Sequence, residues 1–191
     1  MALKEGDKVP DVKLTEMTDG RPSQVSLAEL SKGKRVVVFA VPGAFTPTCS
    51  MKHLPGFVDR NAAIRAKGVD EIVCISVNDA FVMDAWGKQS SAGGKVRMLA
   101  DGNGDFTRAV GLALDAYGFG MGQRSQRYAM ILRDGIVEAL MPEPGPGLSA
   151  SSDLDRDPNG RGHRQRTTRL GEDVGQLVGQ PLQDHERRPG G

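Results

Sequence analysis

The stretch Val36-Val-Val-Phe-Ala-Val-Pro-Gly-Ala-Phe-Thr-Pro-Thr-Cys-Ser50 decides how the rest of the chain is read. Val36 to Val41 is a continuous apolar run, rich in β-branched residues and too short to span a bilayer, so it predicts a central strand buried on both faces. Pro42-Gly43 ends that strand. Beyond Cys49, the residues Met51, Leu54, Val58, Ala62 and Arg65 recur at three- or four-residue spacing up to Gly68, which predicts a helix over 50–67. Pro55 removes one backbone bond inside it and predicts a kink about a turn after Cys49. Cys49 therefore opens a helix, where unpaired N–H groups and the positive end of the dipole favour a thiolate over a thiol. A helix terminus contributes only about 0.3 to 1 kcal/mol, less than the roughly 1.4 kcal/mol that one pKa unit represents. A cation from elsewhere in the chain is required, unless Cys49 is merely a small apolar filler.

Working outward, Val12-Lys-Leu14 alternates among the turn formers Gly6, Pro10, Asp19-Gly20 and Pro22 and predicts a small hairpin. Ser26-Leu-Ala-Glu29 is a capping box that predicts one helical turn before the central strand. Glu71 to Val77 predicts a second buried strand, Asp79 to Gln89 a helix, Val96 to Ala100 a third strand, and Gly104 to Gly111 a short helix. Tyr128 to Leu132 and Ile136 to Leu140 flank Arg133-Asp-Gly135, a hairpin signal. Strand, helix, strand, helix implies parallel pairing through right-handed crossovers, so the pattern predicts an α/β fold with a mixed sheet. Gly118-Phe-Gly-Met-Gly122 lacks the strand-loop-helix context of a nucleotide loop and reads as a mobile loop ahead of Arg127.

Composition narrows the function. The 191 residues carry 25 basic and 24 acidic side chains, a net charge of +1, which gives no overall pull toward nucleic acid or an anionic membrane. No window approaches the roughly 18 apolar residues of a membrane span. Two cysteines do not make a disulfide framework. Met1 to Lys8 has neither a signal-peptide core nor transit-peptide character, so a cytoplasmic address is expected. Cys49 lies outside any C-x-x-C motif. His53 follows Cys49 by four residues, but no further His or Cys lies nearby to complete a metal site or hydrolase dyad.

Pro42 to Ser50 resembles the active-site motif of the type II, or peroxiredoxin-5-like, thiol peroxidases. The resemblance extends through His53-Leu-Pro-Gly56, Ile75 to Asp79, Phe81-Val-Met83, Ala85-Trp86, Leu99-Ala-Asp101, Phe106 to Gly111 and Arg124 to Met130, and spans residues 3–148. It implies a thioredoxin-like fold, a mixed central sheet flanked by helices. It also implies a cofactor-free peroxidase in which Cys49 takes the terminal oxygen of hydrogen peroxide or an alkyl hydroperoxide and becomes a sulfenic acid. By the same resemblance, Thr46 offers its hydroxyl to peroxide and sulfur, Pro42 walls off water, and Arg127 hydrogen-bonds the thiolate and the peroxide oxygen. Each has a plainer reading. Thr46 could cap the helix, Pro42 could only end the strand, and one of Arg124 and Arg127 is expected to be a solvated surface charge.

Cys74, in the second strand, reads from its pattern as a buried inert thiol. In plant-type members of the resembled family, a cysteine at this spacing serves as, or stays close to, a resolving thiol. A Cys49 to Cys74 disulfide needs Cα atoms within about 7 Å, so the first helical turn would have to unwind. Another branch resolves from a C-terminal cysteine, and Ala150 stands at that place. The resemblance implies reduction by glutaredoxin with glutathione or by thioredoxin, and a homodimer built on an apolar rim. The chain divides into a peroxiredoxin domain over 1–152 and an atypical tail over 153–191 with seven Arg, no Lys and no aromatic residue, which reads as solvated and disordered. The competing reading is a redox-sensing or interaction protein whose altered C-terminus impairs turnover.

Overall fold

The computed structural model describes residues 2–143. The boundary expected at 152/153, Ala150 and the arginine-bearing tail lie outside the described residues. Nine strands are described: β1 (Lys13–Thr18), β2 (Arg21–Ser26), β3 (Arg35–Val41), β4 (Glu71–Ser76), β5 (Arg97–Ala100), β6 (Ala113–Asp115), β7 (Gln123–Ser125), β8 (Tyr128–Arg133) and β9 (Ile136–Pro142). Seven of them form one mixed sheet in the order β2-β1-β5-β4-β3-β8-β9. The apolar run around Val38 becomes β3, buried at every residue, parallel to β4 and antiparallel to β8. A strand with neighbours on both sides and layers on both faces has no use for alternation in polarity, which is why its sequence is uniformly apolar.

Alternation survives as a division between two cores. Val37, Phe39 and Val41 of β3, Ile72 and Cys74 of β4, and Ala129 and Ile131 of β8 point to one face. Helices α2 (Leu54–Asp59), α3 (Asn61–Arg65) and α4 (Ala80–Gln89) cover it with Leu54, Phe57, Ile64, Met83 and Trp86. Val36, Val38, Ala40, Val73, Ile75, Tyr128 and Met130 point the other way, against α1 (Leu27–Leu30) and α5 (Asp105–Ala109). The capping residues act as their types predict: the Ser26 hydroxyl accepts from the Glu29 N–H at 3.2 Å and the Asp79 carboxylate from the Val82 N–H at 2.9 Å. Asp134 and Gly135, with φ of 50° and 77°, make the β8–β9 turn.

One expectation needs correction. Residues 50–67 are not one kinked helix. The chain turns helical at Pro47, passes through a single wide turn over Cys49–His53, continues as α2, and breaks at Arg60 before α3. In the wide turn the Leu54 N–H reaches back five residues to the Cys49 carbonyl. Pro55, which has no N–H, falls in the first turn of α2, where that loss is tolerated. The extra residue in the turn, rather than a bend, is what accommodates the proline. The segment 118–122 is a loop ahead of Arg127, as expected, with two short strands, β6 and β7, paired antiparallel on either side of it and a 3₁₀ turn over Tyr117–Phe119.

Phe39 of β3 and Phe57 of α2 are stacked with ring centroids 4.0 Å apart and planes 4° from parallel, both essentially inaccessible. Removing that contact leaves a cavity under the turn that carries Cys49. Phe57→Ala is expected to lower the unfolding free energy by about 3 to 5 kcal/mol, measured by urea denaturation.

Candidate active site

The loop from β3 delivers Cys49 through residues whose geometry is tightly specified. Pro42 is buried at the end of the strand. The Ala44 N–H donates to Asn78 Oδ1 at 2.9 Å, and the Ser76 hydroxyl holds that same oxygen at 2.7 Å. Phe45 then sits at φ 62°, a left-handed conformation that costs a bulky side chain about 1 to 3 kcal/mol. The loop is held there from the neighbouring strand end rather than by its own preference. Thr46 begins the helical turn: its hydroxyl donates to the Gly43 carbonyl at 2.8 Å, and its carbonyl accepts the Ser50 N–H at 2.9 Å. Cys49 is fully buried in this first turn, next to Ser50, whose hydroxyl accepts from the Trp86 indole N–H at 3.0 Å.

Arg127 immediately precedes β8, next to the end of β3, because Tyr128 pairs with Ala40. Alternation along β8 puts it on the face of Ala129 and Ile131, the face that Cys49 covers. It is 4 % exposed. Its Nε lies 3.3 Å from Glu143 Oε2, and the other oxygen of Glu143 lies 3.9 Å from Nε2 of His53, which is in the Cys49 turn. A chain of charged and polar groups thus links the start of β8, the end of β9 and the cysteine-bearing turn. Burial raises the Glu143 carboxyl above its ordinary value, and Arg127 offsets part of that rise.

Arg124, one of the two arginines of which one was expected to be a solvated surface charge, is not solvated. Its Nη1 donates to the Val77 carbonyl and its Nε to the Met121 carbonyl, each at 2.8 Å, and Met121 itself packs over Gly43. A Cβ on Gly43 would come within 3.1 Å of both the Met121 methyl and the Thr46 methyl. Arg124, Met121 and Asn78 therefore brace the loop that positions Thr46 and Cys49; Arg124 and Asn78 lie in stretches that carry the resemblance, and Met121 does not. Cys74 is buried in β4 between Phe39 and Met98, in the same apolar layer as Cys49. Both thiols are free, and burial first, then the proximity of Cys49, pushes the Cys74 thiol well above its ordinary range. Among the described residues no group of three His, Cys, Asp or Glu side chains is placed to hold a metal ion.

A buried thiol in the first turn of a helix, with a buried guanidinium on the same face of the sheet, has the chemistry of a candidate nucleophilic sulfur. The comparisons with known proteins give the arrangement its family. The Redoxin family model matches residues 4–157. Peroxiredoxin-2B of Arabidopsis thaliana is 47% identical over 148 residues, covering 77% of this chain and 91% of that protein. The chloroplastic peroxiredoxin-2E of the same plant is 47% identical over 155 residues, and the match spans 79% of this chain and 66% of that longer protein. Among solved structures, reduced Prx3 of Vibrio vulnificus in complex with hydrogen peroxide is 49% identical, with a TM-score of 0.72 over 74% of this chain and 89% of that one. The chain belongs to the Redoxin family and, within it, to the type II peroxiredoxins.

The protonated state of Cys74 has a consequence for stability. An unfolded thiol ionises above about pH 8.5, while the folded chain keeps this proton, so the stabilising contribution is complete below that pH and is lost as pH rises. The loss reaches up to about 1.4 kcal/mol per pH unit. The stability advantage of the wild type over Cys74→Ala should therefore shrink between pH 8 and 10 in parallel urea titrations, and a difference independent of pH would contradict the assignment.

Proposed function

We propose that this chain is a thiol peroxidase in which Cys49 attacks the terminal oxygen of hydrogen peroxide or an alkyl hydroperoxide. The observation that carries the reading is the placement of Cys49, fully buried in the first helical turn, on the face of the sheet that also bears the buried Arg127. The membership of the Redoxin family supports the same chemistry. In the reaction the Cys49 thiolate forms an S–O bond as the O–O bond breaks, the leaving oxygen takes a proton and departs as water or alcohol, and the sulfur becomes a sulfenic acid. Arg127 stabilises the thiolate and the negative charge that develops on the leaving oxygen. Thr46, at the mouth of the turn, supplies the hydroxyl that orients the peroxide, and Pro42 shields the sulfur from bulk water.

An external thiol closes the cycle, with glutaredoxin and glutathione or thioredoxin as the reductants proposed. The sulfenic acid of a fully buried Cys49 has to move outward to meet a partner of protein size, and unwinding the wide turn Cys49–His53 is the smallest movement that exposes it. The same unwinding is what a disulfide with Cys74 would require, so resolution by Cys74 and by an external thiol share one conformational step. A homodimer is supported by Phe45, Phe81, Tyr117 and Phe119, exposed by 46, 65, 73 and 60 %, on the segments that frame the loop. A cytoplasmic site of action is part of the proposal.

Turnover tests the reading. With hydrogen peroxide and an NADPH-coupled reducing system, one arm with thioredoxin and one with glutaredoxin plus glutathione, the wild type should consume peroxide over many cycles and Cys49→Ser none. Cys74→Ser should keep turnover wherever the external thiol attacks the sulfenic acid directly and lose it where a Cys49 to Cys74 disulfide is obligatory. A wild type that reacts once and stops would favour the redox-sensing alternative.

A further inference from the structure

Three acidic or basic groups share the space behind the catalytic loop, and only one of them, Arg127, has a part in the reaction as described. Glu143 is tied to that arginine twice. Its backbone N–H donates to the Arg127 carbonyl at 2.9 Å, and its carboxylate lies 3.3 Å from Arg127 Nε. Pro142 and Pro144 flank it in sequence, which fixes φ on one side and holds Glu143 itself to extended backbone on the other. Its second oxygen faces His53, a side chain 1 % exposed within the Cys49 turn. A carboxylate held in ion-pair distance of Nε, 3.3 Å away, biases the turn of the planar guanidinium about the long axis of the side chain, and with it the direction of the remaining nitrogens.

We propose that Glu143, backed by His53, is the positioning residue for Arg127: it sets the edge that the guanidinium presents to the Cys49 sulfur and to the bound hydroperoxide. This rests on the peroxidase reading of Cys49 and deepens it. In this role Glu143 acts on the reaction through Arg127, the residue its backbone and carboxylate both reach. The cost of leaving a partly buried carboxylate beside the site is offset by the ion pair, and the benefit is a cation that needs no reorganisation when the peroxide arrives. A surface arginine would have to be ordered at each encounter.

The test is a double-mutant cycle on the full chain, with the second-order rate constant for oxidation of Cys49 by hydrogen peroxide as readout and circular dichroism confirming the fold of each variant. Glu143→Ala should lower that constant by about tenfold to a hundredfold, the scale of a misplaced catalytic group. Glu143→Gln, which keeps an acceptor oxygen in place, should recover most of the loss. In an Arg127→Ala background, Glu143→Ala should cause no further loss, because there is no guanidinium left to position. Equal losses in both backgrounds would show a structural role and overturn the proposal, as would a Glu143→Ala rate within about twofold of wild type. Should Glu143→Ala fail to fold, Glu143→Asp, which withdraws the same charge by one methylene, takes its place in the cycle. A wild type no faster than free cysteine would instead sink the peroxidase reading itself, which separates the two failures.

Discussion

A guanidinium buried to 4 % exposure has given up most of its water, and the several kcal/mol this costs must be offset by partners at fixed positions. Much of the molecule is arranged to supply them. Arg127 sits at the start of β8 beside the end of β3 because those strands pair antiparallel, Glu143 reaches it because β9 pairs with β8, and the chain leaves β3 at Val41 to form the turn that carries Cys49. The cation then has a neighbour of complementary charge, the Glu143 carboxylate near Nε, on the face of the sheet that Cys49 covers. Each of these side chains depends on a different strand junction, so the charge cluster and the sheet specify one another.

The loop between β3 and Cys49 shows how rigid elements are used to hold a strained one. Phe45 in a left-handed conformation, Gly43 with little room for a Cβ, and Ala44 bonded to Asn78 describe a tightly restrained segment. Its restraints come from the ends of β4 and β7, through Asn78 and Arg124. The wide turn over Cys49–His53 has the opposite character. Its longer hydrogen-bond ring is intrinsically less favourable than an α-turn, and it sits where the chemistry requires a local opening before a large partner can reach the sulfur. Firm support on the loop side of Cys49 and a wider turn on the other give the two sides of the sulfur unequal restraint.

Much of this was legible in the sequence because it is local. The uniform apolar run of β3, the Ser26 and Asp79 caps, and the Asp-Gly turns at Asp19-Gly20 and Asp134-Gly135 are each written within a few residues. The thioredoxin-like sheet and the family were carried by the motif around Cys49. What escaped had no local signature. Strands β6 and β7 are three residues each, too short for a period of two to register, and they exist through their pairing with one another. The wide turn was read as a kink because Pro55 announces a missing bond without saying how the backbone absorbs it. Arg124 looked like surface charge because its acceptors, Val77 and Met121, are backbone carbonyls, and carbonyls leave no trace in sequence. Glu143 lies sixteen residues from Arg127 across a hairpin with a bulge between Ile131 and Leu132, and only the register of that hairpin brings the two together.

Trp86, the single tryptophan of the chain, donates its indole N–H to Ser50 beside the sulfur and so reports on the Cys49 turn directly. Stopped-flow mixing of the reduced protein with hydrogen peroxide, followed by Trp86 fluorescence, addresses the central claim that the buried Cys49 is an activated nucleophile. The account predicts a fluorescence change whose rate rises linearly with peroxide concentration, is orders of magnitude faster than oxidation of free cysteine, and disappears in Cys49→Ser. A signal as slow as free cysteine, or one that persists in Cys49→Ser, would contradict it.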